Sequence, residues 1–532
     1  MVSLSEDIVR GVLRHSVGPA VKDLYMWKPK LFWLQICPEW TRIAKAYVYS
    51  EAFIECYVHD SKALNNMHMR PLGGSPLAQK WVSNIDLITQ SDCQGLVRRL
   101  NLKLATRMDP DAYLDAVLQL LIKYSGNWAS VNSVRVETSR QTDYESHEDL
   151  QKKRGICRRL AQVVSQVQAV EADCDSRIYS KTMCEFAGCY AESLRSLKLL
   201  DIMSFSIPSF APALSDLTMA LVSAEAQAIP RIFASTLQKL NVYSYPKHFS
   251  WAYFQDPLDA SKPLRFDQLR ELRLNFTQDP SAELPMRLDI CEPTELEFPM
   301  LGVLMVSGCL VDTCDNILAR TYESQVASVV FGGALGAAKS LSRSSFASID
   351  SLIIDISPVA ASDEDEFYSV TNRLFGDFAI KHSGGLHIHH TDFALSVGML
   401  QWTSLTSLVL QRPMEFYDVI DLIGALPRLE QLDLAEMRLD MLATEEAAAA
   451  FGERLDSDTQ PFEAPVEILS LGSVVGECPF HVSAGAVQFL MIKMPMLKQV
   501  LVDDYLEEYL DLFVEEYMDE IPHLAEIKVL AT

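Results

Sequence analysis

The chain has 532 residues, of which 49% are hydrophobic and 22% are charged, and its formal net charge is −25. This composition is typical of a folded protein and excludes a mainly disordered one. The negative charge disfavours nucleic acid and anionic membranes as partners, because both repel an acidic protein. A chain of this length exceeds one ordinary hydrophobic core, so it must hold several domains or a repeat array.

The cellular location is indicated by three features. Residues 1–7 lack the basic and apolar stretches of a secretory signal. No run of about 18 apolar residues predicts a membrane-spanning helix. The eleven cysteines are scattered through apolar segments, as buried thiols are in a reducing compartment. We therefore expect an intracellular protein, cytoplasmic or nuclear, without a membrane-spanning segment.

The first 50 residues predict two or three short helices. Ser5 can cap a helix that carries Ile8 and Val12 on one face. Pro38 suits the first turn of a later helix that carries Trp40. So short a module cannot enclose its own large apolar side chains. We expect it to pack on the following repeats or on another protein.

The same residues resemble an F-box. Leu4, Asp7 and Ile8 match its opening pattern, Leu-Pro-x-Glu/Asp-Ile-Leu, and residues 34–44 match its later pattern, Leu-x-x-Val-Cys-x-x-Trp-x-x-Ile/Leu-Ala. The resemblance implies docking on the Skp-type adaptor of a cullin-RING ubiquitin ligase. The implied adaptor-binding residues are Leu4, Ile8, Val12, Leu31, Leu34, Ile36, Cys37, Trp40 and Ile43. The alternative is that residues 1–50 only cap the exposed N-terminal end of a solenoid, which needs a cap.

A recurring apolar triplet, L-x-x-L-x-L, fills the chain from about residue 80 onward. Its copies are separated by about 20 to 37 residues, apart from one longer early gap, which brackets the range of leucine-rich repeats. Weaker copies begin at Val82, Val131 and Val167, and a broken copy contains Leu386 and Ile388. The stronger copies begin at Leu194, Leu214, Leu237, Leu269, Leu301, Val326, Ile349, Leu405, Leu429, Val466, Leu497 and Leu524.

Each triplet predicts a short strand, since the last two apolar residues alternate with period two. Helical spacing appears between the triplets: residues 416–427 place apolar side chains at 419, 422, 423 and 426. Thr444 is a candidate N-cap for another helix. Polar stretches such as 357–366 predict loops. Stacked copies would form a parallel sheet in which each copy buries the apolar face of its neighbour.

The triplets resemble the leucine-rich-repeat superfamily in its irregular, fungal F-box-associated form. Residues 266–274, FDQLRELRL, and 426–434, LPRLEQLDL, carry the resemblance most clearly. It implies an α/β solenoid over residues 51–532, with a curved parallel sheet on the concave side and helices on the convex side. Residues 1–50 would form a separate F-box-like helical module.

The resemblance and the sheet geometry together predict a protein-binding protein. Side chains between the inward leucines would face the concave surface and hold an unknown protein substrate. These residues are Lys239, Asn241, Tyr243, Tyr245, Glu271, Arg273, Asn275, His387, His389, Gln411, Gln431 and Asp433. The function expected first is an F-box-type substrate receptor of a ubiquitin ligase. The alternative is a leucine-rich-repeat scaffold with no ligase association.

Enzymatic alternatives are weaker. Residues 333–340, GALGAAKS, differ from a phosphate-binding P-loop by Ala338, where the motif needs a glycine so that its backbone can approach phosphate. Two histidines, His387 and His389, alternate on a predicted strand, but only Asp392 stands near them as a further metal ligand. The paired cysteines at 184/189 and 309/314 lack partner pairs at zinc-finger spacing. We expect no enzyme activity, cofactor or metal.

Overall fold

A computed structural model describes most of the chain. The described residues are 31, 34–35, 38–57, 80–104, 110–123, 128–138, 150–173, 185–200, 213–221, 232–244, 264–276, 296–309, 326–343, 349–356, 359–377, 380–444, 446–447, 449–451, 453, 460–476, 480–502 and 526–529. The chain forms two compact units. Unit 1 comprises Met1–Leu269 and Asp289–Leu296, and unit 2 comprises Arg270–Leu288 and Glu297–Thr532.

Unit 1 is built on parallel strands. Its sheet runs in the order β1, β3, β4, β5, β6, β7, β8, and β2 pairs antiparallel with β1. The strands are β1 Glu51–Tyr57, β2 Lys80–Ser83, β3 Arg99–Leu104, β4 Ser133–Thr138, β5 Ala169–Asp173, β6 Ser196–Leu200, β7 Asp216–Leu221, β8 Lys239–Ser244 and the short β9 Leu264–Arg265. The helices are α1 Pro38–Val48, α2 Ile85–Gln90, α3 Pro110–Lys123 and α4 Leu150–Val163.

Unit 2 repeats the arrangement. Its parallel sheet runs β10, β12, β13, β14, β15, β16, β17, β18, β20, β21, and β19 extends the sheet beside the end of β17. The strands are β10 Glu271–Phe276, β11 Leu296–Glu297, β12 Val303–Cys309, β13 Ser328–Gly333, β14 Ile349–Ile356, β15 Ile380–Ile388, β16 Ser407–Glu415, β17 Gln431–Arg438, β18 Ile468–Leu471, β19 Val474–Val475, β20 Gln499–Val502 and β21 Glu526–Val529. The helices are α5 Leu335–Ser342, α6 Glu364–Asn372, α7 Phe416–Ala425 and α8 Phe480–Lys493. The fold is therefore an open α/β solenoid of parallel strands, as the triplets predicted.

The core of each unit is a set of leucine ladders. Leu408 on β16 pairs with Leu432 on β17, which pairs with Leu469 on β18, and all three are fully buried. The residues between the ladder positions are partly exposed on β16 and β17, at Val409 and Asp433, whereas Ser470 on β18 is buried. Because neighbouring strands bury equivalent residues against each other, each repeat completes the core of the next.

A tight turn precedes many strands and explains the first leucine of the triplet. The backbone N–H of Leu269 donates to the carbonyl of Phe266, and that of Leu429 donates to Leu426. A second contact links successive copies: the N–H groups of Glu430 and Gln431 both donate to the carbonyl of Thr406. Equivalent bonds recur along both units. They satisfy backbone groups that would otherwise be buried without partners.

The helices cover one face of each sheet. Helix α7 contacts β16 and β17, and its Val419, Leu422 and Ile423 are fully buried, so the helix predicted for residues 416–427 is confirmed. The predicted cap also forms, since the amide of Ala447 donates to Thr444 Oγ1 at 3.2 Å. No helix in the described part of the chain is long and apolar enough to cross a membrane.

The predicted copy at Val82 is wrong. Residues 80–83 form the antiparallel β2, and Ile85 and Leu87 lie on helix α2, where Leu87 is exposed. The sequence instead holds a copy at Val97, just before β3, and at Leu100 and Leu102 on β3, and all three residues are buried. That copy falls inside the long early gap and restores the spacing there.

The loop predicted for residues 357–366 is also partly wrong. Helix α6 begins at Glu364, and its first turn is acidic, which favours a helix N-terminus. Phe367 and Tyr368 follow at once and are buried. Their burial, rather than the polarity of the stretch before them, determines the local structure.

Candidate partner-binding surface

Each unit has a sheet face that the helices do not cover. We call it the open face: it carries the strand residues that alternate with the buried apolar ladder. In β8, for example, Leu240 and Val242 are buried while Lys239 and Tyr243 are exposed and Asn241 is partly exposed. This follows from the period-two alternation of a strand.

The described residues predicted for the concave surface all lie on the open faces. Unit 1 carries Lys239, Asn241 and Tyr243; unit 2 carries Glu271, Arg273, Asn275, His387, His389, Gln411, Gln431 and Asp433. Each is partly or fully exposed. Tyr245 lies outside the described residues. The sequence thus placed these side chains on the intended face, and their role in binding stays a prediction.

The open face of unit 1 is a ladder of paired charges. Lys198 Nζ on β6 lies 2.8 Å from Glu171 Oε1 on β5. Arg135 on β4 lies between Glu171 and Glu137, with N–O distances of 3.7 Å to each. Lys103 on β3 lies 3.7 Å from Glu137 as well. Because each charge has an opposite neighbour on the same face, this surface largely neutralises itself.

The open face of unit 2 is apolar on β12 to β14. Met305 on β12, Val330 on β13 and Ile353 on β14 are register partners and form one row, and Val303 lies beside them on β12. All four side chains are partly exposed. We call these four residues the apolar strip.

Small residues surround the apolar strip. Gly332 continues β13 beyond Val330, and a side-chain carbon placed there would meet only ordinary contacts, the nearest being Asp355 Cβ at 3.6 Å. Gly385 is the register partner of Ile353, whose Cγ1 lies 3.5 Å from where a Cβ on Gly385 would be. Serines occupy the equivalent rows at 307, 328 and 351. The surface is therefore low at Gly332, whereas the Ile353 side chain covers Gly385, which is buried.

Polar groups stand on the two sides of the apolar strip. On β10, Arg273 pairs with Glu271, and Asn275 Oδ1 accepts a hydrogen bond of 2.9 Å from Ser307 Oγ. On the other side, His389 Nε2 lies 2.8 Å from Asp355 Oδ1. That bond, with a second one to Gln411, raises the pKa of His389 above its usual value.

Asp433 differs from the other acidic residues of the open faces. It lies on β17, where Val409 is its register partner on β16, and it is partly exposed. It has no ion pair or hydrogen bond with any other described residue. His387, in the same row on β15, likewise has no such partner in the described part of the chain.

Residues 333–340, which are similar to a P-loop, form part of the repeat structure. Residues 328–333 are β13 and residues 335–342 are α5, so the strand and helix of a P-loop are both present. However, Ala338 is fully buried, and Lys339, which a P-loop would direct at phosphate, pairs with Glu366 on α6. Among the described residues, no group of three or more histidine, cysteine, aspartate or glutamate side chains is placed to hold a metal.

The predicted adaptor-binding residues are described only in part. Leu31, Leu34 and Trp40 are partly exposed, and Ile43 is 6% exposed because α1 packs it into the core of unit 1. Leu4, Ile8, Val12, Ile36 and Cys37 lie outside the described residues. The C-terminal end of α1 is held firmly: Val48 is buried, and Tyr49 Oη lies 3.1 Å from Ser91 Oγ.

Sequence reasoning missed the apolar strip. The signal was present, since Val303, Met305, Val330 and Ile353 occupy the intervening positions of their triplets, where polar residues stand in most other copies. An apolar residue there adds nothing to the ladder on the other face. Apolar residues on the exposed face of such a strand are therefore unusual, and they indicate a surface that another molecule could cover.

Comparison with known proteins gives no relative to guide the assignment: no protein-family model matches the chain, and no curated protein matches it.

Proposed function

We propose that the chain is a protein-binding solenoid and that its partner lies on the open face of the sheet. The observation that carries the proposal is the apolar strip: four partly exposed apolar side chains on a rigid strand scaffold, beside small residues that leave room for a partner. Contiguous exposed apolar surface of this kind marks an interaction site. The parallel strands fix the side chains in place, so little ordering is required on binding.

Affinity capture from the cells that make the protein tests this proposal. Bait proteins would be the wild-type chain, Val330→Asp on the open face, and Ser369→Asp, which changes an exposed residue on helix α6. We expect a polypeptide that the wild type and Ser369→Asp retain and that Val330→Asp loses. Equal recovery with all three baits, or no specific polypeptide with any of them, contradicts the proposal.

A narrower role is supported by the N-terminal segment. Leu31, Leu34 and Trp40 keep part of their apolar surface exposed, and they belong to the stretch that resembles an F-box. We propose on that basis that the solenoid is the substrate receptor of a cullin-RING ubiquitin ligase, attached through a Skp-type adaptor. The competing role is a scaffold in which α1 only caps unit 1, and the burial of Ile43 and Val48 supports that role.

Copurification with a purified Skp-type adaptor separates the two roles. The receptor role predicts a complex with wild type that the triple variant Leu4→Ala/Ile8→Ala/Trp40→Ala does not form. A circular-dichroism melt should show the variant still folded. The absence of a complex with the wild type leaves the scaffold role.

A further inference from the structure

The open faces differ in what they leave available to a partner, and unit 2 offers two unused features. One is the apolar strip, and the other is the carboxylate of Asp433, which has no partner in the described part of the chain. The rows of exposed side chains on β12 to β17 include two carboxylates, Asp355 and Asp433, while the basic residues of these strands, Lys381, Arg412 and Arg438, are engaged with Asp350, Thr391 and Glu436. The positions in these rows are Val303, Met305, Ser307, Ser328, Val330, Gly332, Ser351, Ile353, Asp355, Ser383, Gly385, His387, His389, Ser407, Val409, Gln411, Gln431, Asp433 and Ala435.

The negative character continues past the end of this surface. Beyond Asp433 the strands β16 and β17 carry Glu415 and Glu436, and Asp440 follows. Burial raises the pKa of Glu415 and the charge of Asp440 adds to the effect, while Arg438 opposes it. Arg438 is already engaged, since its Nε donates to Glu436 Oε1 at 2.7 Å. A cation that approaches Asp433 therefore meets a field that favours it.

We propose that the open face of unit 2 binds a polypeptide segment that places an apolar side chain on the apolar strip and a lysine or arginine against Asp433. This inference rests on the proposed function and specifies the chemistry of the partner. Apolar burial would supply most of the affinity. The ion pair would fix the orientation of the segment and reject acidic sequences.

The strand spacing sets the distance between the two groups of the partner. Ile353 is on β14 and Asp433 is on β17, three strand spacings away and two residues further along the strands, or about 16 Å. An extended peptide covers that distance in about five residues. Because a lysine or arginine side chain has a long reach, the cation should stand two to five residues from the apolar residue.

The two acidic residues of this face are not equivalent. Asp355 is occupied by His389 at 2.8 Å, so a partner's cation would compete with an existing bond. Asp433 keeps its carboxylate free among the described residues. The cation is thus directed to β17, three strands from Ile353, so a segment that also reaches the apolar strip needs separated apolar and basic residues.

A random 12-residue peptide library displayed on phage, selected against the full-length chain, tests the inference. We expect enriched peptides to carry an apolar residue with lysine or arginine two to five positions away. A synthetic peptide of the enriched sequence should bind Val330→Asp at least tenfold more weakly than the wild type. The matched change on unit 1, Thr218→Asp on a partly exposed position of β7, should alter its affinity less than twofold.

A charge reversal at Asp433 tests the same inference if the Val330→Asp variant does not fold. Asp433→Lys changes a partly exposed polar residue, and should weaken the enriched peptide about tenfold. The same peptide with its cation replaced by glutamate should bind Asp433→Lys better than it binds the wild type. Such reciprocity arises only if the two groups are in contact.

Three results overturn the inference: enriched peptides that are acidic or lack the pattern, affinities that neither variant changes, or no enrichment over an unrelated protein. If affinity capture nevertheless yields a polypeptide that Val330→Asp loses, the protein-binding function stands and only the proposed partner chemistry fails. If capture also fails, both fail.

Discussion

The open faces of the two units are built from the same repeat but carry different exposed side chains: paired charges in unit 1 and an apolar strip in unit 2. In unit 1, Lys198, Glu171, Arg135, Glu137 and Lys103 pair across four neighbouring strands. In unit 2 the equivalent rows hold Met305, Val330, Ile353 and small residues. A surface whose charges are paired has little to offer a partner, while exposed apolar area gains free energy by being covered.

Along the solenoid the buried face is alike in the two units, while the open face differs. The leucine ladders are alike in both units, so the folding information lies on the buried face. The residues of the open face are free to vary, because they point away from the core. Unit 1 pairs charges across four neighbouring strands, whereas unit 2 pairs Arg273 with Glu271 and His389 with Asp355 and leaves the apolar strip and Asp433 without such pairs.

The largest predicted effect is a difference in stability between two glycine substitutions in unit 2, one at a packed position and one on the open face. Gly384→Ala would place its Cβ 2.5 Å from the Ser404 carbonyl oxygen, and should lower the free energy of unfolding by about 1–3 kcal/mol. Gly332→Ala meets nothing closer than 3.6 Å, and should leave stability within about 0.5 kcal/mol. Urea unfolding measures both. A large loss with Gly332→Ala would mean that the low surface at Gly332 is already filled.

The next prediction compares the two open faces directly. Arg135→Ala leaves Glu137 and Glu171 close together without the cation between them, and its side chain is only 16% exposed. We expect a loss of about 1–2 kcal/mol in unfolding free energy. Val330→Ser removes a partly exposed apolar group and should cost less than Arg135→Ala. A lower urea midpoint for Arg135→Ala than for Val330→Ser supports the contrast between the two open faces, and the reverse order contradicts it.

Sequence patterns predicted most of the fold and only the outline of the site. The triplets fixed the strands because burial of leucines on one face is a local signal. They failed at Val82, where the antiparallel β2 and helix α2 follow, and missed the copy at Leu100. Strand pairing around β1 depends on contacts distant in sequence, which no local pattern encodes.

The site was harder to predict because its properties depend on register. Alternation placed Asp433 and His389 on the correct face. It did not reveal that Met305, Val330 and Ile353 align, since their alignment requires knowing which residue of each strand pairs with which. The position of Arg135 between Glu137 on its own strand and Glu171 on β5 also depends on strand register, so it could not be predicted either.

A smaller effect should appear in the response to salt. Glu171→Gln removes the ion pairs to Lys198 and Arg135 on partly exposed side chains, so it should cost about 1 kcal/mol or less at low ionic strength. The difference from wild type should shrink in 1 M sodium chloride, where the Debye length is about 3 Å. Asp433→Asn is the matched control in unit 2. It should show no salt-dependent loss, because Asp433 has no described partner to lose.

The smallest predicted effect is a pH dependence at His389. Its hydrogen bonds to Asp355 and Gln411 raise its pKa in the folded chain. The stabilisation from this pair is therefore fully present below about pH 6.5, the unfolded value, and is lost as the pH rises through the folded pKa. NMR titration of the His389 ring should give a lower pKa in Asp355→Asn. An unchanged pKa in that variant would show that Asp355 does not hold the proton.

Site-specific photocrosslinking tests the central claim, that polypeptides bind the open face of unit 2, most directly. A photoreactive amino acid would replace Ser351 on the open face of unit 2, Ser196 on the open face of unit 1, or Ser369 on helix α6, and each protein would be irradiated in the cells that make it. The account predicts that Ser351 crosslinks to a polypeptide and that Ser196 and Ser369 do not. Crosslinks from Ser196 or Ser369 with none from Ser351 would contradict it.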